Sequence, residues 1–308
     1  MSRLVSFRAR HAVEELRIVR RVMRRLGYHV VPANYYSPIP DLDAVPSETW
    51  TEPQEMPGVV WDLDRQLAFL ENELAPTIGE FDAPLDPPGG QPGFYLRNPN
   101  FPGLDAEVLY AMVRRFQPAT VVELGAGYST LVIEAGAQRN REEGAPLHHE
   151  VFDPFPPQTL TVVSDSIDLR AISATEIALE RFAHLTPGDL LFIDTTHAVK
   201  PGGDVIHLIL GALPLVPAGV LVHIHDFYRP FEYPYALMDV FGSYWQEQYL
   251  VQAFLILNQE FDVLCANHAL RRLRGERVRR LVPSLDRHAQ PSSLWLMRRA
   301  GRAGAAIG

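Results

Sequence analysis

The stretch Thr120-Val121-Val122-Glu123-Leu124-Gly125-Ala126-Gly127-Tyr128-Ser129-Thr130 constrains the fold of this chain more than any other. It reads as a short strand that ends in an acid, turns through two glycines and enters a helix. Thr120, Val121 and Val122 suit a buried strand, and Pro118 marks the end of a helix before it. Gly125 and Gly127 carry no Cβ, so the backbone there can turn tightly and approach a ligand closely. Ser129 or Thr130 is placed to cap the helix that Leu131-Val132-Ile133 begins. Glu123, at the strand end, is placed to accept hydrogen bonds from a ribose hydroxyl or an amine.

Two cofactor classes use a strand, glycine turn and helix in this way. The dinucleotide fingerprint needs a third glycine where this chain has Thr130, and a carboxylate beside a pyrophosphate is unfavourable. The pattern Glu123-x-Gly125-x-Gly127-x-Ser129 instead resembles motif I of class I S-adenosylmethionine-dependent methyltransferases, whose ligand is a cation. A second strand, His149 to Asp153, ends in an acid 30 positions after Glu123, near the spacing at which an acid meets ribose hydroxyls. The resemblance implies that Glu123, Gly125, Gly127, Ser129 and Asp153 hold the cofactor.

Strands and helices alternate from there on. Leu169–Ser173, Leu190–Asp194, Val220–Asp226, Phe261–Ala266 and Ser292–Arg298 read as further strands, which predicts a mostly parallel sheet. In count and order these elements match the Rossmann-like, seven-stranded α/β fold of class I methyltransferases, with helices on both faces, over about 104–298. Proline and glycine are dense from Val45 to Pro102, interrupted by a helical pattern at Asp62–Leu74. Residues 1–102 are therefore expected to be an N-terminal extension or cap and 103–308 the methyltransferase domain. His11–Leu26 has helical apolar spacing with arginines opposite, an amphipathic helix for docking on the core or a partner. Its apolar face has no aromatic anchor for a membrane surface. Asn34 to Asp41 is held extended by Pro38 and Pro40 and carries Tyr35-Tyr36, either a pocket wall or a strap.

A second constellation gathers where two neighbouring strands end: Asp194-Thr195-Thr196-His197, and His223-Ile224-His225-Asp226. Strand alternation puts His223 and His225 on one face and Asp226 on the other, which buries His223 and leaves His225 and Asp226 at the rim. With Gly203-Asp204-Val205, these segments resemble the signature of methyltransferase family 24, related to macrocin-O-methyltransferase-type enzymes. Three roles are open for Asp194, His197, His225 and Asp226. A histidine can serve as general base toward an acceptor hydroxyl or amine. A divalent metal can sit on Asp194, His225 and Asp226. Or the acids cap loops and the histidines are hydrogen-bonded structure. Some macrocin-type relatives use magnesium with a further carboxylate where this chain has a histidine. Tyr228, Tyr233, Tyr235, Tyr244 and Trp245 follow the fifth strand, where acceptor-binding loops are expected; for Tyr244 and Trp245, at the start of a helix to Leu257, core packing is the simpler role.

The expected function is methyl transfer from S-adenosylmethionine to an O or N atom of a small-molecule acceptor. A metal-dependent hydroxylase-like enzyme on the same fold, or a non-catalytic cofactor binder, stands as the alternative. Cys265 is the sole cysteine, which excludes an intrachain disulfide and a cysteine metal cluster. No apolar run follows the basic N-terminus, and Leu208–Ile224 is broken by Pro214 and Pro217, so a soluble, cytoplasmic protein without a membrane partner is expected. Eight arginines lie in residues 1–28 and ten in 271–302, around an acidic middle. With Lys200 the sole lysine, nucleic acid is disfavoured as their partner; pairing with the acidic body, or with a second subunit of a homo-oligomer, is the expectation.

Overall fold

Seven strands form one sheet in the computed structural model, which describes residues 16–89, 92–282 and 290–300. They are β1 (Thr120–Leu124), β2 (His148–Phe152), β3 (Asp168–Arg170), β4 (Leu190–Ile193), β5 (Leu221–Ile224), β6 (Phe261–Ala266) and β7 (Leu294–Arg298). Their order across the sheet is β3-β2-β1-β4-β5-β7-β6. β1 to β5 pair in parallel, and β7 runs antiparallel to both β5 and β6. This is the Rossmann-like, seven-stranded sheet the sequence predicts. The order reverses between β1 and β4, and a parallel sheet opens a crevice at such a point.

The helices that frame the site are α1 (Leu63–Phe69), α2 (Leu104–Phe116), α3 (Tyr128–Glu142), α4 (Glu247–Leu255) and α5 (Asn267–Leu273). Asp62 caps α1 by accepting from the Asp64 and Arg65 amides, and the helix continues through a π turn at Leu70–Leu74. Alternation along the strands sorts the core into two layers. Val121, Leu190 and Phe192 pack with α2 and α3, whereas Val122, Leu124, Leu191, Ile193, Val222 and Ile224 pack with the 205–216 segment and α4. β4 is buried on both faces, which accounts for its unbroken apolar run Leu190-Leu191-Phe192-Ile193.

Several boundaries differ from the sequence reading. α3 starts at Tyr128 with Gly127 at its N-cap, and the Gly127 amide donates to Thr130 Oγ1 at 3.0 Å; Ser129 caps nothing. β5 stops at Ile224, because Asp226 is left-handed at φ 55°. Alternation thus ends before His225 and no longer separates it from Asp226. Tyr244 and Trp245 precede α4 rather than open it.

By compactness the chain divides into residues 1–46 and 47–308. Residues 47–102, read from sequence with the N-terminal extension, therefore lie in the same unit as the sheet. In the second unit Arg274 bonds Asp64 at 2.9 Å, Arg277 bonds Glu71 at 2.5 Å and Arg299 bonds Asp262 at 2.5 Å. Those C-terminal arginines pair with acids of their own unit. The first unit contains a helix over 16–25, and the expected start of that helix at His11 lies outside the described residues. A cleft of about 530 Å³ lined by Val31, Asn34, Ile39 and Asp41 lies in this unit and holds none of the predicted site residues. Among the described residues no helix is long and apolar enough to cross a membrane.

Candidate active site

A cleft of about 210 Å³ opens at the carboxyl ends of β1, β2 and β4, lined by Gly125, Phe152, Asp153, Ser173, Asp194, Thr195 and Asp204 among others. Gly125 is obligatory here. Its φ is 91°, and a Cβ would fall 1.7 Å from the Asp194 carbonyl oxygen, so the glycine turn lies flat on the end of β4. Asp153 fixes the turn from the other side: its carboxylate accepts from the Ala126 amide at 2.9 Å and the Phe155 amide at 2.6 Å. Each oxygen keeps a further lone pair for a ligand. Asp204 holds the Thr196 amide at 3.0 Å and its hydroxyl at 2.7 Å.

Glu123 and Ser129 lie elsewhere. Glu123 has no exposed surface; it accepts from Ser129 Oγ at 2.6 Å and lies 3.0 Å from His149 Nε2. The other ring nitrogen of His149 is 2.9 Å from Glu134 Oε1. Burial disfavours a charged ring, but the two carboxylates outweigh it and raise the His149 pKa to about 9. Glu123 thus braces the glycine turn from beneath and does not line the cleft. Among the predicted cofactor residues, Gly125 and Asp153 line the cleft, and Gly127 has open space beside its Cα.

Beside the cleft, the acids and histidines converge. His197 Nε2 lies 3.4 Å from Asp194 Oδ1 and 3.3 Å from Asp226 Oδ2, while its Nδ1 is 2.7 Å from Glu247 Oε2. His225 Nδ1 lies 3.5 Å from Asp194 Oδ2 and 3.8 Å from Asp226 Oδ1, and its Nε2 is 3.6 Å from Asp105 Oδ2. His197 is left-handed at φ 56°, as Asp226 is at φ 55°. A non-glycine residue in that region costs about 1–3 kcal/mol, held here because the surrounding contacts over-determine it. The His197 carbonyl accepts from the Gln246 and Glu247 amides, which fastens the start of α4 to the end of β4.

Burial works against charge on both rings, yet the acids prevail: the His197 pKa rises to about 10, and that of His225 lies well above its usual value. Asp194 is held far below the ordinary carboxylate range, because the two imidazolium rings outweigh its burial. Glu247 moves upward because burial dominates. The surrounding acids therefore favour the protonated form of both rings. His223 is different: fully buried, stacked on Phe192 at 3.9 Å and bonded to Ser293, it is driven well below its usual pKa by burial and by the His225 charge.

Asp105 and Glu247 have no counterpart in the sequence reading. Asp105 lies in the first turn of α2, where it also accepts from Asn267 Nδ2 at 2.7 Å and from the Ser292 and Ser293 amides. Glu247 opens α4, where an acid is ordinarily a helix-end charge. Trp245 packs its ring against His197 at 4.5 Å, a site contact where core packing was the simpler expectation. Tyr228 and Tyr233 are buried: Tyr228 donates to Asp226 Oδ1 at 3.0 Å, and the Tyr233 hydroxyl accepts from the Gln248 amide at 3.0 Å. Tyr235 is partly exposed. The donor atoms of Asp194, His197 and Asp226 all lie within 4.8 Å of one another, the spacing of a metal-ligand set. His197 thus stands in the triad where His225 was expected.

Residues 122–227 match the methyltransferase family 24 model, described as a methyltransferase domain. This segment is a methyltransferase domain. An uncharacterised protein of Archaeoglobus fulgidus is 29% identical over 117 residues, 36% of this chain and 52% of that protein. The chain thus spans about half the length of the curated relative it matches. Among solved structures, the chain described as cmcI-N160 SAH is 16% identical with a TM-score of 0.30, covering 57% of this chain and 84% of that one. An O-methyltransferase family 2 protein from Planctomyces limnophilus, in complex with apigenin, is 14% identical with a TM-score of 0.28, over 78% of this chain and 62% of that one. In this methyltransferase domain the cleft and the glycine turn occupy the switch point, and the acid–histidine cluster stands at its edge.

Proposed function

We propose that the protein transfers a methyl group from S-adenosylmethionine to an oxygen or nitrogen of a small-molecule acceptor. The observation that carries this reading is the adjacency of the switch-point cleft to the cluster of Asp194, His197, His225 and Asp226. The cleft suits that cofactor chemically. Its charged lining is Asp153, Asp194 and Asp204, with no arginine or lysine, which favours a cation bearing hydroxyls over a pyrophosphate. Asp153 and Gly125 would hold the nucleoside side, and Glu123, His149 and Ser129 would keep the turn in shape beneath it.

The bound cofactor supplies an activated methyl group, so the protein's task is alignment and the disposal of one proton. The acceptor X–H forms its new bond to carbon and releases its proton. With the rings favoured in their protonated form, the Asp226 carboxylate is the open proton acceptor at the rim, because Asp194, held far below the ordinary carboxylate range, is too weak a base. Glu247 holds His197 by a hydrogen bond, and Asp105 lies 3.6 Å from the outer nitrogen of His225, so both rings are steadied beside the two carboxylates by charge. A second reading rests on the metal-ligand spacing of Asp194, His197 and Asp226. There a divalent ion would replace the His197 proton and acidify an acceptor hydroxyl.

The test is calorimetric titration of S-adenosylmethionine into the full chain, with metal analysis of the same sample and Asp153→Ala as control. Binding that weakens strongly in the variant supports the reading. No binding with or without added divalent metal refutes it. Stoichiometric magnesium or zinc favours the metal reading, and bound iron favours the hydroxylase-like alternative.

A further inference from the structure

The helix over 16–25 and the turn after it carry a pattern the methyl-transfer reading does not use. Leu16, Ile18, Val19, Val22, Met23 and Leu26 fall within one arc of roughly 160° on a helical projection, and Arg17, Arg20, Arg21, Arg24 and Arg25 fill the opposite arc. No residue crosses between the arcs. From Arg17 to Pro40 there is no acid at all.

Within its own unit the apolar arc is not buried: Ile18, Val19, Val22 and Leu26 are all about half-exposed or more. The sequence argued against a membrane surface because the arc lacks an aromatic anchor. The same unit supplies three in the segment that follows, Tyr28, Tyr35 and Tyr36, the last two almost fully exposed. Tyrosine suits a lipid interface because its ring is apolar and its hydroxyl wet.

We propose that this segment is an interfacial anchor that docks the protein onto an anionic lipid bilayer. The arginines meet the lipid phosphates and carboxylates, and the apolar arc enters the headgroup boundary. An acidic protein surface or a nucleic acid would match the arginines but leaves the apolar half without a role. The arc is also much too short to span a bilayer, in keeping with a helix that lies in the plane. The inference is independent of the methyl-transfer reading.

The test is flotation of the full chain with phosphatidylcholine vesicles, with and without phosphatidylserine, over a salt series. Binding to the phosphatidylserine vesicles that falls with salt is expected, with little on phosphatidylcholine alone. Arg20→Gln/Arg24→Gln should weaken it about 25-fold, about five-fold per arginine. Val19→Ser/Val22→Ser should weaken it about a hundred-fold through lost apolar burial. Arg24, Val19 and Val22 are exposed, and Arg20, which donates to the Val30 carbonyl at 3.2 Å, is replaced by a glutamine that can still donate, so both variants should melt close to the parent. Absence of vesicle binding, or equal binding to both vesicles, overturns the proposal. So does an effect of the arginine pair without one of the valine pair, which would point to an acidic protein or RNA. A parent dimer that the valine pair dissociates also overturns it, since the arc would then be a subunit contact.

Discussion

Replacing His149 by glutamine should remove a pH-dependent part of the stability of the methyltransferase domain. The imidazolium lies between Glu123 and Glu134, at 3.0 and 2.9 Å, with no exposed surface on its side chain. Its pKa is about 9 in the fold, against an ordinary value of 6.5. A group whose pKa is raised on folding contributes fully below its unfolded value and loses that contribution as pH rises through the folded one. The window is therefore pH 6.5 to about 9. The span multiplied by about 1.4 kcal/mol per unit gives about 3–4 kcal/mol. In a unit of this size that corresponds to roughly 7–14 °C in melting temperature. The assay is thermal unfolding of parent and His149→Gln from pH 6 to pH 10, reading the difference between the two. His197 and His225 titrate in both proteins, so subtraction removes them. The difference should be largest at the acid end and shrink steadily to the alkaline end. A difference that stays constant with pH would refute the reasoning, because His149 would then act by shape alone.

Gly125→Ala drives a methyl into the Asp194 carbonyl and forces a left-handed alanine, so S-adenosylmethionine affinity should fall at least about ten-fold by calorimetry. Glu247→Gln exchanges a charge-assisted bond to His197 for a neutral one; a loss of about 1.5 kcal/mol, seen as a roughly ten-fold drop in kcat with a shifted pH profile, is expected in a turnover assay. Asp105→Asn should be harsher on folding, since the same carboxylate also serves Asn267, Ser292 and Ser293: about 2–4 kcal/mol by urea denaturation.

The sheet was legible because Val121-Val122 and Leu190 to Ile193 are buried on both faces and so carry continuous apolar runs, and Leu221 to Ile224 is apolar save for His223. Asp194, His197, His225 and Asp226 stood out because polar groups at the ends of such runs have little structural reason to be there. Glu123 was readable as an acid at a strand end, but its direction was not. Whether it faces the crevice or the helix beneath depends on His149 and Ser129, which reach it from two other elements. Asp105 and Glu247 look like ordinary acids in first turns of helices, and only the packing of α2 and α4 shows that they grip the two histidines. Trp245 was assigned to a helix that starts two residues later, and its contact with His197 depends on that shift.

The groups that steady the two histidines come from outside the matched segment: Asp105 precedes it, and Glu247 and Ser292 follow it. Substitutions there would retune the rim while every recognisable motif stayed intact. Among descendants of such a chain, chemistry could drift while the signature stood still. Two sequences alike from 122 to 227 need not share an acceptor, and a comparison of residues 105, 247 and 292 would be the sharper guide to kinship in function.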